Sequence, residues 1–181
     1  MNEGLIPNRY ARALYRYSRD CGDADTVYAQ TCRLADSFLR VDGIASAAEN
    51  PFLALADKEA LLLTAAGAPG DGTLSQFVNL VYTHGREAFF CQMALAFGKM
   101  YRSDKGIAQV VVTSAAPLPA QAFDKIKAFL KSCLHGKSIE YKVDVDPELI
   151  GGFTIKIDSL LLDASLSSEL RDLRLKLISK K

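Results

Sequence analysis

Apolar residues recur every three or four positions through most of the first hundred residues, which is the spacing of one face of an α-helix. The pattern predicts helices over residues 7–21, 27–39, 58–66, 73–81 and 90–101. Pro7 suits a first helical turn, and Thr73 with Gln76 has the spacing of a capping box. Residues 1–104 are therefore predicted to be helical throughout.

The pattern changes after residue 104, where β-branched and alternating apolar residues replace the helical spacing. The predicted strands are residues 107–114, 139–145 and 153–157, and a further helix is predicted over residues 123–134. Gly151 and Gly152 predict a tight turn or a bulge between two strands. The fold class is therefore α+β with two domains, a helical domain over residues 1–104 and a small α/β domain over residues 105–181.

The last predicted helix begins near Ser165 and places four leucines on one seam, at residues 166, 170, 173 and 177. We expect packing against the domain to occupy that seam. The basic residues between 171 and 181 alternate with Asp172, and Glu169 precedes them, so a solvated helix face is favoured over a nucleic-acid or lipid site.

Composition and charge narrow the function classes. The chain has 181 residues, 49% of them apolar and 24% charged, which is ordinary for a globular protein. Its 22 Lys and Arg balance 21 Asp and Glu, so a net charge of +1 gives no electrostatic case for nucleic acid or anionic lipid. No apolar run reaches the length of a membrane span, and the first ten residues lack the pattern of a secretory signal. We therefore expect a cytoplasmic protein.

Few residues are candidates for chemistry. The four cysteines, at residues 21, 32, 91 and 133, have no CxxC spacing and are expected to be buried or half-buried thiols. His84 and His135 each fall at a predicted helix end, where an imidazole commonly caps carbonyl groups, and no nucleophile motif accompanies them. Asp144, Asp146 and Glu148 lack the Gly and terminal Glu of a calcium loop, and the Asp-Pro step at Asp146 predicts a turn. We expect no catalysis and no metal.

Two predicted helices carry more apolar surface than one packed face requires. In the first helix the apolar residues spread over roughly 200° of arc, about twice what one face needs. In the helix that opens at Thr73, Leu80 lies beside the apolar stripe and not on it. Such a helix is either deeply buried or keeps surface for a partner, and the residues leave both interpretations open. The functional interpretation is a groove that takes an amphipathic helix.

Several short segments match, in order along the chain, the motifs of one family. They are YARAL at residues 10–14, NP at 50–51 with Lys58, GR at 85–86, VTSAAPL at 112–118 and VDPELIGGF at 145–153, the last followed by Ile155, Ile157 and DAS at 163–165. On these motifs the chain resembles the bacterial type of the delta subunit of F-type ATP synthases, called the oligomycin-sensitivity-conferral protein in mitochondria. It departs from the family pattern at three places. Asp-Ser at residues 158–159 replaces the family's Gly-Asp, Ala164 replaces a Gly, and Glu169 stands where the family commonly has Arg.

The resemblance implies a six-helix N-terminal bundle followed by a small α/β C-terminal domain. It implies a non-catalytic stator subunit that needs no cofactor. Such a subunit links the alpha subunits of the catalytic head to the b subunits of the peripheral stalk and resists rotor torque during proton-driven ATP synthesis. It also implies a peripheral position on the cytoplasmic side of the cell membrane, reached only through the complex.

The resemblance further implies that the N-terminal helix of an alpha subunit lies between the first and fifth helices, which are the two helices with surplus apolar surface. The predicted contact residues are Tyr10, Ala13, Leu14, Tyr17, Gln76, Phe77 and Leu80. The alternative is a generic helix-binding adaptor unrelated to ATP synthesis, with the same groove and no preference for alpha-subunit or stalk peptides. An enzyme that pairs a histidine with a carboxylate, and a nucleic-acid-binding protein, are weaker rivals.

Overall fold

The computed structural model describes residues 4–117, 119–133, 138–157 and 160–179. It is an α+β chain whose contacts divide it into two compact units, Met1–Tyr101 and Arg102–Lys181. The predictions made for His135 and for residues 158–159 lie outside the described residues.

Helices form the first unit. They are α1 (Leu5–Cys21), α2 (Ala24–Arg40), α3 (Ile44–Glu49), α4 (Leu55–Ala66), α5 (Thr73–Thr83) and α6 (Phe90–Lys105), with a 3₁₀ turn (Glu87–Phe89) before α6. The five helices predicted from hydrophobic periodicity coincide with α1, α2, α4, α5 and α6. Helix α3 was not predicted, because its six residues bury only Ala48 and so present no periodic stripe.

The inward faces of these helices make the core of the first unit. Five side chains from five helices are each no more than 3% exposed, namely Leu14, Val27, Leu62, Val78 and Phe97. Burying an aliphatic or aromatic side chain of this size stabilises a fold by about 1.5–3 kcal/mol. Tyr15 of α1 meets Phe97 of α6 edge to face, with 5.9 Å between ring centroids, so α6 covers that side of α1.

The start of α5 differs from the prediction. The residue that caps the helix is Gly72, and no side chain bonds to the free amides of its first turn. The Thr73 hydroxyl instead donates to the carboxylate of Asp23 at 2.5 Å, which ties α5 to the residue before α2. The Gln76 side chain accepts a hydrogen bond from Tyr17 of α1. The predicted capping box is therefore wrong, because tertiary partners occupy both side chains.

The second unit is a four-stranded sheet with two helices. Its elements are β1 (Ile107–Ser114), α7 (Ala120–Cys133), β2 (Ser138–Val145), a 3₁₀ turn (Pro147–Leu149), β3 (Gly152–Ile157), β4 (Leu160–Ser165) and α8 (Leu166–Ser179). The strand order is β2-β1-β3-β4. β1 runs parallel to β2, and β3 runs antiparallel to both β1 and β4. β4 was not predicted, because five of its six residues are exposed and its sequence does not alternate.

One face of this sheet is packed. Every second residue of β1 is buried, and Val110 and Val112 meet Ile155 of β3 under Ile126 and Leu130 of α7. The alternation that predicted β3 from the sequence is thus the alternation between this packed face and the more open face behind it, whereas β1 was predicted from its β-branched residues.

Helix α8 differs most from expectation. It begins directly after Ser165, as predicted, and the Ser165 hydroxyl accepts a hydrogen bond from the Ser168 amide at 3.3 Å. Its leucine seam, however, is open to solvent: Leu166, Leu170, Leu173 and Leu177 are 48–75% exposed. The expectation that packing occupies the seam is wrong. Periodicity identifies the apolar face of a helix but cannot tell whether another element covers it.

The cysteine prediction is correct in part. Cys32 and Cys91 are half-buried, but Cys21 is exposed at the end of α1, so the prediction is wrong there. Burial raises the pKa of the Cys91 thiol. The side chain of Cys133 lies outside the described residues.

The turn predictions are confirmed. The Asp146 carboxylate accepts a hydrogen bond from the Glu148 amide at 2.9 Å at the start of the 3₁₀ turn, and Gly152 begins β3 with φ +78°.

In the described part of the chain, no helix is long and apolar enough to cross a membrane, and no three His, Cys, Asp or Glu side chains are grouped to hold a metal ion.

Candidate helix-binding groove

Two adjoining cavities run between α1 and α5. Their volumes are about 420 Å³ and about 260 Å³, and Ala13 of α1 and Leu80 of α5 line both. Because these two residues are shared, the cavities are two segments of one trough, called here the α1/α5 groove. α1 and α5 run antiparallel along it, since Tyr17 near the end of α1 bonds to Gln76 near the start of α5.

One end of the groove lies beside the start of α1 and the end of α5. Besides the two shared residues, this end is lined by Ile6, Arg9, Tyr10, His84 and Arg86. The Tyr10 ring stands edge-on to Phe77 and to His84, with centroid distances of 6.5 and 6.3 Å. His84 ends α5, and its Nδ1 lies 2.8 Å from the Leu80 carbonyl oxygen. This is the carbonyl-capping role predicted for it.

The other end of the groove lies beside the start of α5. Besides the two shared residues, its lining is Leu14, Tyr17, Thr73, Gln76 and Phe77. The Tyr17 hydroxyl donates to Gln76 Oε1 at 2.8 Å across the groove. The Cys21 thiol one turn further along α1 raises the pKa of Tyr17, through a hydrogen bond first and then through its charge.

The groove has a closed floor and open walls. Leu14 and Phe77 form the floor, at 3% and 8% exposure, and both belong to the core. Tyr17 and Leu80 on the walls are each 45% exposed, and Ala13 between them is exposed as well. In the sequence, surplus apolar surface on α1 and α5 was the feature that suggested a groove. The structure brings both surplus faces to the same trough.

All seven residues predicted for this site line the groove. Sequence reasoning missed Ile6, Arg9, Thr73, His84 and Arg86. A helical wheel carries a signal for Ile6 and Arg9, because both lie on the same side of α1 as Ala13. The helical wheel gives no such signal for Arg86, because Arg86 reaches the groove only after the chain turns at the end of α5.

The arrangement suits binding better than reaction. Most of its lining is aliphatic or aromatic, Tyr17 bonds to Gln76, His84 lies against a backbone carbonyl, and no carboxylate is among the described residues that line it. An apolar trough between two helices with polar tips at its rim is a form in which proteins take up an amphipathic helix. Fold and groove together define an α+β protein with an open, largely apolar groove between two helices of its helical unit.

Comparison with known proteins identifies the family. The family model described as "ATP synthase delta (OSCP) subunit" matches residues 6–177, and the chain belongs to that family. It is therefore a non-catalytic component of the peripheral stalk of an ATP synthase, and it associates with other subunits of that complex.

Relatives of similar length support this assignment. The ATP synthase subunit delta of Phocaeicola vulgatus is 35% identical over 178 residues, which cover 98% of this chain and 96% of the relative. That of Parabacteroides distasonis is 34% identical over 184 residues, the full length of both. A chain in the cryo-EM structure of the Toxoplasma gondii mitochondrial ATP synthase hexamer has the same fold. Its TM-score is 0.69 at 22% identity, over 96% of this chain and 97% of that one.

Proposed function

We propose that this chain ties the catalytic head of an F-type ATP synthase to its peripheral stalk and so keeps the head from turning with the rotor. In this proposal residues 1–104 are the six-helix bundle that holds the alpha subunit, and residues 105–181 meet the b subunits. Family membership supports the proposal, and the division into two units supplies a separate body for each contact. The role is mechanical, since both contacts must stay closed under load during many rotor turns.

The open α1/α5 groove is the observation that carries the head contact. Soluble proteins rarely leave a continuous apolar trough uncovered unless it serves a partner. Ala13 is small enough for a third helix to approach α1 closely, and Tyr10 and Tyr17 offer apolar ring faces with polar tips. The proposed occupant is the N-terminal helix of an alpha subunit, with apolar anchors at helical spacing. Burial of about 800 Å² per partner makes such a contact stable and specific.

Calorimetric titration tests the head contact. The full chain is titrated with a peptide of the first twenty or so residues of the same organism's alpha subunit. We expect one-to-one binding that Leu80→Glu weakens by at least about a hundredfold, because a carboxylate in an apolar groove loses its water. Leu95→Glu is the matched control. Leu95 lies on α6 and is 49% exposed, against 45% for Leu80, and it is absent from the groove lining.

The outcomes separate the hypotheses. Equal weakening by Leu80→Glu and Leu95→Glu contradicts the assignment of the groove. Absence of binding, with the chain folded and the peptide soluble, contradicts the head contact and favours the generic helix-binding adaptor.

The exposed seam of α8 supports the stalk contact. Its four leucines follow one another at intervals of four, three and four residues, which is the heptad spacing of a coiled-coil seam. A helix of 14 residues is marginal in water without packing, and the seam of α8 is exposed, so a partner helix along that seam would stabilise α8. We propose that the C-terminal helix of a stalk b subunit packs there.

A pair of variants on α8 tests the stalk contact. Leu173 and Leu175 are 55% and 59% exposed, but only Leu173 lies on the seam. Leu173→Glu is expected to abolish binding of a peptide from the C-terminal segment of the same organism's b subunit, whereas Leu175→Glu retains it. Retention by both variants contradicts the seam as the contact surface.

We also propose that the chain sits at the cytoplasmic side of the cell membrane through these two contacts alone. Washed membranes should then retain it only while head and stalk are both present. Retention on membranes from cells that lack the b subunits contradicts this.

A further inference from the structure

Helix α1 carries a row of arginines beside the groove. Arg9, Arg12, Arg16 and Arg19 are all exposed, and they follow one another at intervals of three, four and three residues. At about 100° per residue, the four lie within about 80° of one another around the helix axis. They make up four of the nine Lys and Arg residues among residues 1–100, so positive charge in this unit is concentrated on one helix face.

This row, called here the arginine stripe, begins at the rim of the groove, where Arg9 is a lining residue, and continues along the exposed face of α1. The buried residues of α1 include Ala11, Tyr15 and Ser18 on the side away from Ala13, and Leu14 at the floor of the groove. Arg9 itself lines the groove, and Arg16 stands one turn beyond Ala13 on the solvent side. Arg19 lies over the Tyr15 ring, with its guanidinium carbon 5.8 Å from the centroid, so it is the member farthest from the groove.

The opposite wall carries no formal charge. Helix α5 (Thr73–Thr83) contains no Asp, Glu, Lys or Arg, and its exposed residues next to Leu80 are Gln76, Asn79 and Thr83. His84 and Arg86 add basic groups only past its end. The groove is thus apolar in its floor, basic along its α1 rim and neutral along its α5 rim.

We propose that this charge asymmetry selects a helix with an acidic flank and sets how that helix is rotated in the groove. The proposal rests on the proposed function, since the occupant is the N-terminal helix of an alpha subunit. Its apolar face meets Leu14 and Phe77, Asp or Glu residues on one flank face the arginine stripe, and uncharged residues face α5. Guanidinium groups suit this task because each offers several donors to a carboxylate.

The continuity of the stripe with an apolar trough favours a peptide helix over other anions. A nucleic acid or a lipid headgroup would use the arginines but leave the groove empty. The surrounding unit is not basic, with 9 Lys and Arg against 11 Asp and Glu in residues 1–101, so it lacks the broad positive field of a polyanion site. From Arg9 to Arg19 the stripe spans about 15 Å, enough for carboxylates on successive turns of one bound helix.

The test compares two double variants that change the net charge equally. Arg12→Glu with Arg16→Glu reverses the middle of the stripe, whereas the control reverses Arg40 and Lys99, which are exposed on α2 and α6 and absent from the groove lining. Binding of the alpha-subunit peptide is measured at low salt and at high salt. We expect the stripe variant to bind about tenfold more weakly at low salt, mainly through a slower association rate, and the deficit to shrink to about twofold at high salt. The control should stay within about twofold of the original chain.

A charge swap tests direct pairing. A peptide whose acidic residues on one flank are replaced by lysine should bind the stripe variant more tightly than it binds the original chain. Equal effects of the two double variants, a deficit that salt does not reduce, or no preference of the swapped peptide would overturn the proposal. So would a stripe variant that loses binding to anionic lipid vesicles while its affinity for the peptide is unchanged.

The outcomes also keep this inference apart from the function on which it rests. If the peptide binds and Leu80→Glu abolishes binding but the stripe variant does not, the groove assignment stands and only the acidic flank is refuted. If the original chain does not bind the peptide, the head contact itself is refuted.

Discussion

Replacement of Gly152 by alanine probes how closely β3 and β4 approach each other. Gly152 opens β3 opposite Ser165 of β4 and has φ +78°. A Cβ placed on it would collide with the carbonyl oxygen of Ala164 and would lie 3.1 Å from the Cα of Ser165. Both are backbone atoms held in the sheet, so no change of rotamer relieves the collision.

The expected loss of stability has two parts, a backbone penalty and a steric clash, and substitution of a second glycine measures the first part alone. Gly22 at the end of α1 has nearly the same backbone conformation, φ +77°, but a Cβ there meets nothing within 4 Å. Gly22→Ala should therefore cost only the left-handed backbone penalty, about 1–2 kcal/mol. Gly152→Ala adds the displacement of β4, which loosens the ladder and the nearby bond from the Leu166 amide to the Gly151 carbonyl. We expect Gly152→Ala to lower the free energy of unfolding by about 3–5 kcal/mol in total.

Amide hydrogen exchange read by mass spectrometry measures this cost within each unit. A loss of 3 kcal/mol or more should speed exchange of the β3 and β4 amides by over about a hundredfold, since about 1.4 kcal/mol is a factor of ten. Gly22→Ala should leave those amides unchanged and speed exchange near the end of α1 by about tenfold. If Gly152→Ala costs no more than Gly22→Ala, the two strands do not approach as described and the steric argument fails.

Three further predictions address single groups. Hydrogen bonds hold the pKa of Asp163 below its ordinary value, and the largest effect comes from the Ser168 hydroxyl. The stability that Asp163 provides is therefore present above about pH 3.9 and is lost as the pH falls through the pKa of Asp163 in the folded protein. Asp163→Asn should remove that acid dependence, as carboxyl chemical shifts and acid unfolding curves would reveal. Burial above all, with two nearby carboxylates, raises the pKa of Tyr82 to about 12. Stability should therefore fall as the pH rises from about 10 towards that value, and Tyr82→Phe should abolish the fall in an alkaline unfolding titration. Ile150 is 67% exposed and has φ +65° in a γ-turn closed by a 2.7 Å hydrogen bond, so Ile150→Gly should stabilise the second unit by about 1 kcal/mol in urea unfolding.

Much of the secondary structure could be predicted because it depends on residues close together in the chain. β1 was predicted at its observed bounds because it is rich in β-branched residues, which favour strands. β3 was predicted because its packing against the core leaves a period of two in the sequence. Helices of three or more turns left a period of 3.6 in the same way. Helix α3 and strand β4 escaped prediction because neither has a buried face long enough to impose a period.

The candidate site could be predicted in composition but not in shape. Surplus apolar residues on α1 and α5 pointed to the two helices, and the family resemblance selected seven of the lining residues. Other lining residues could not be predicted because their positions depend on the path of the chain after a helix ends. Arg86 joins the groove only because the chain turns back beyond His84.

Short-range spacing and motifs were enough to predict the α-helices except α3, the strands except β4, the family and the two faces that carry surplus apolar surface. Long-range packing alone determined which apolar faces are covered. It left the α8 seam open, and it set Tyr17 against Gln76, 59 residues away, across a trough with one basic rim. The physical reason is that a residue's own neighbours fix its local conformation, whereas its burial depends on which distant surface packs against it.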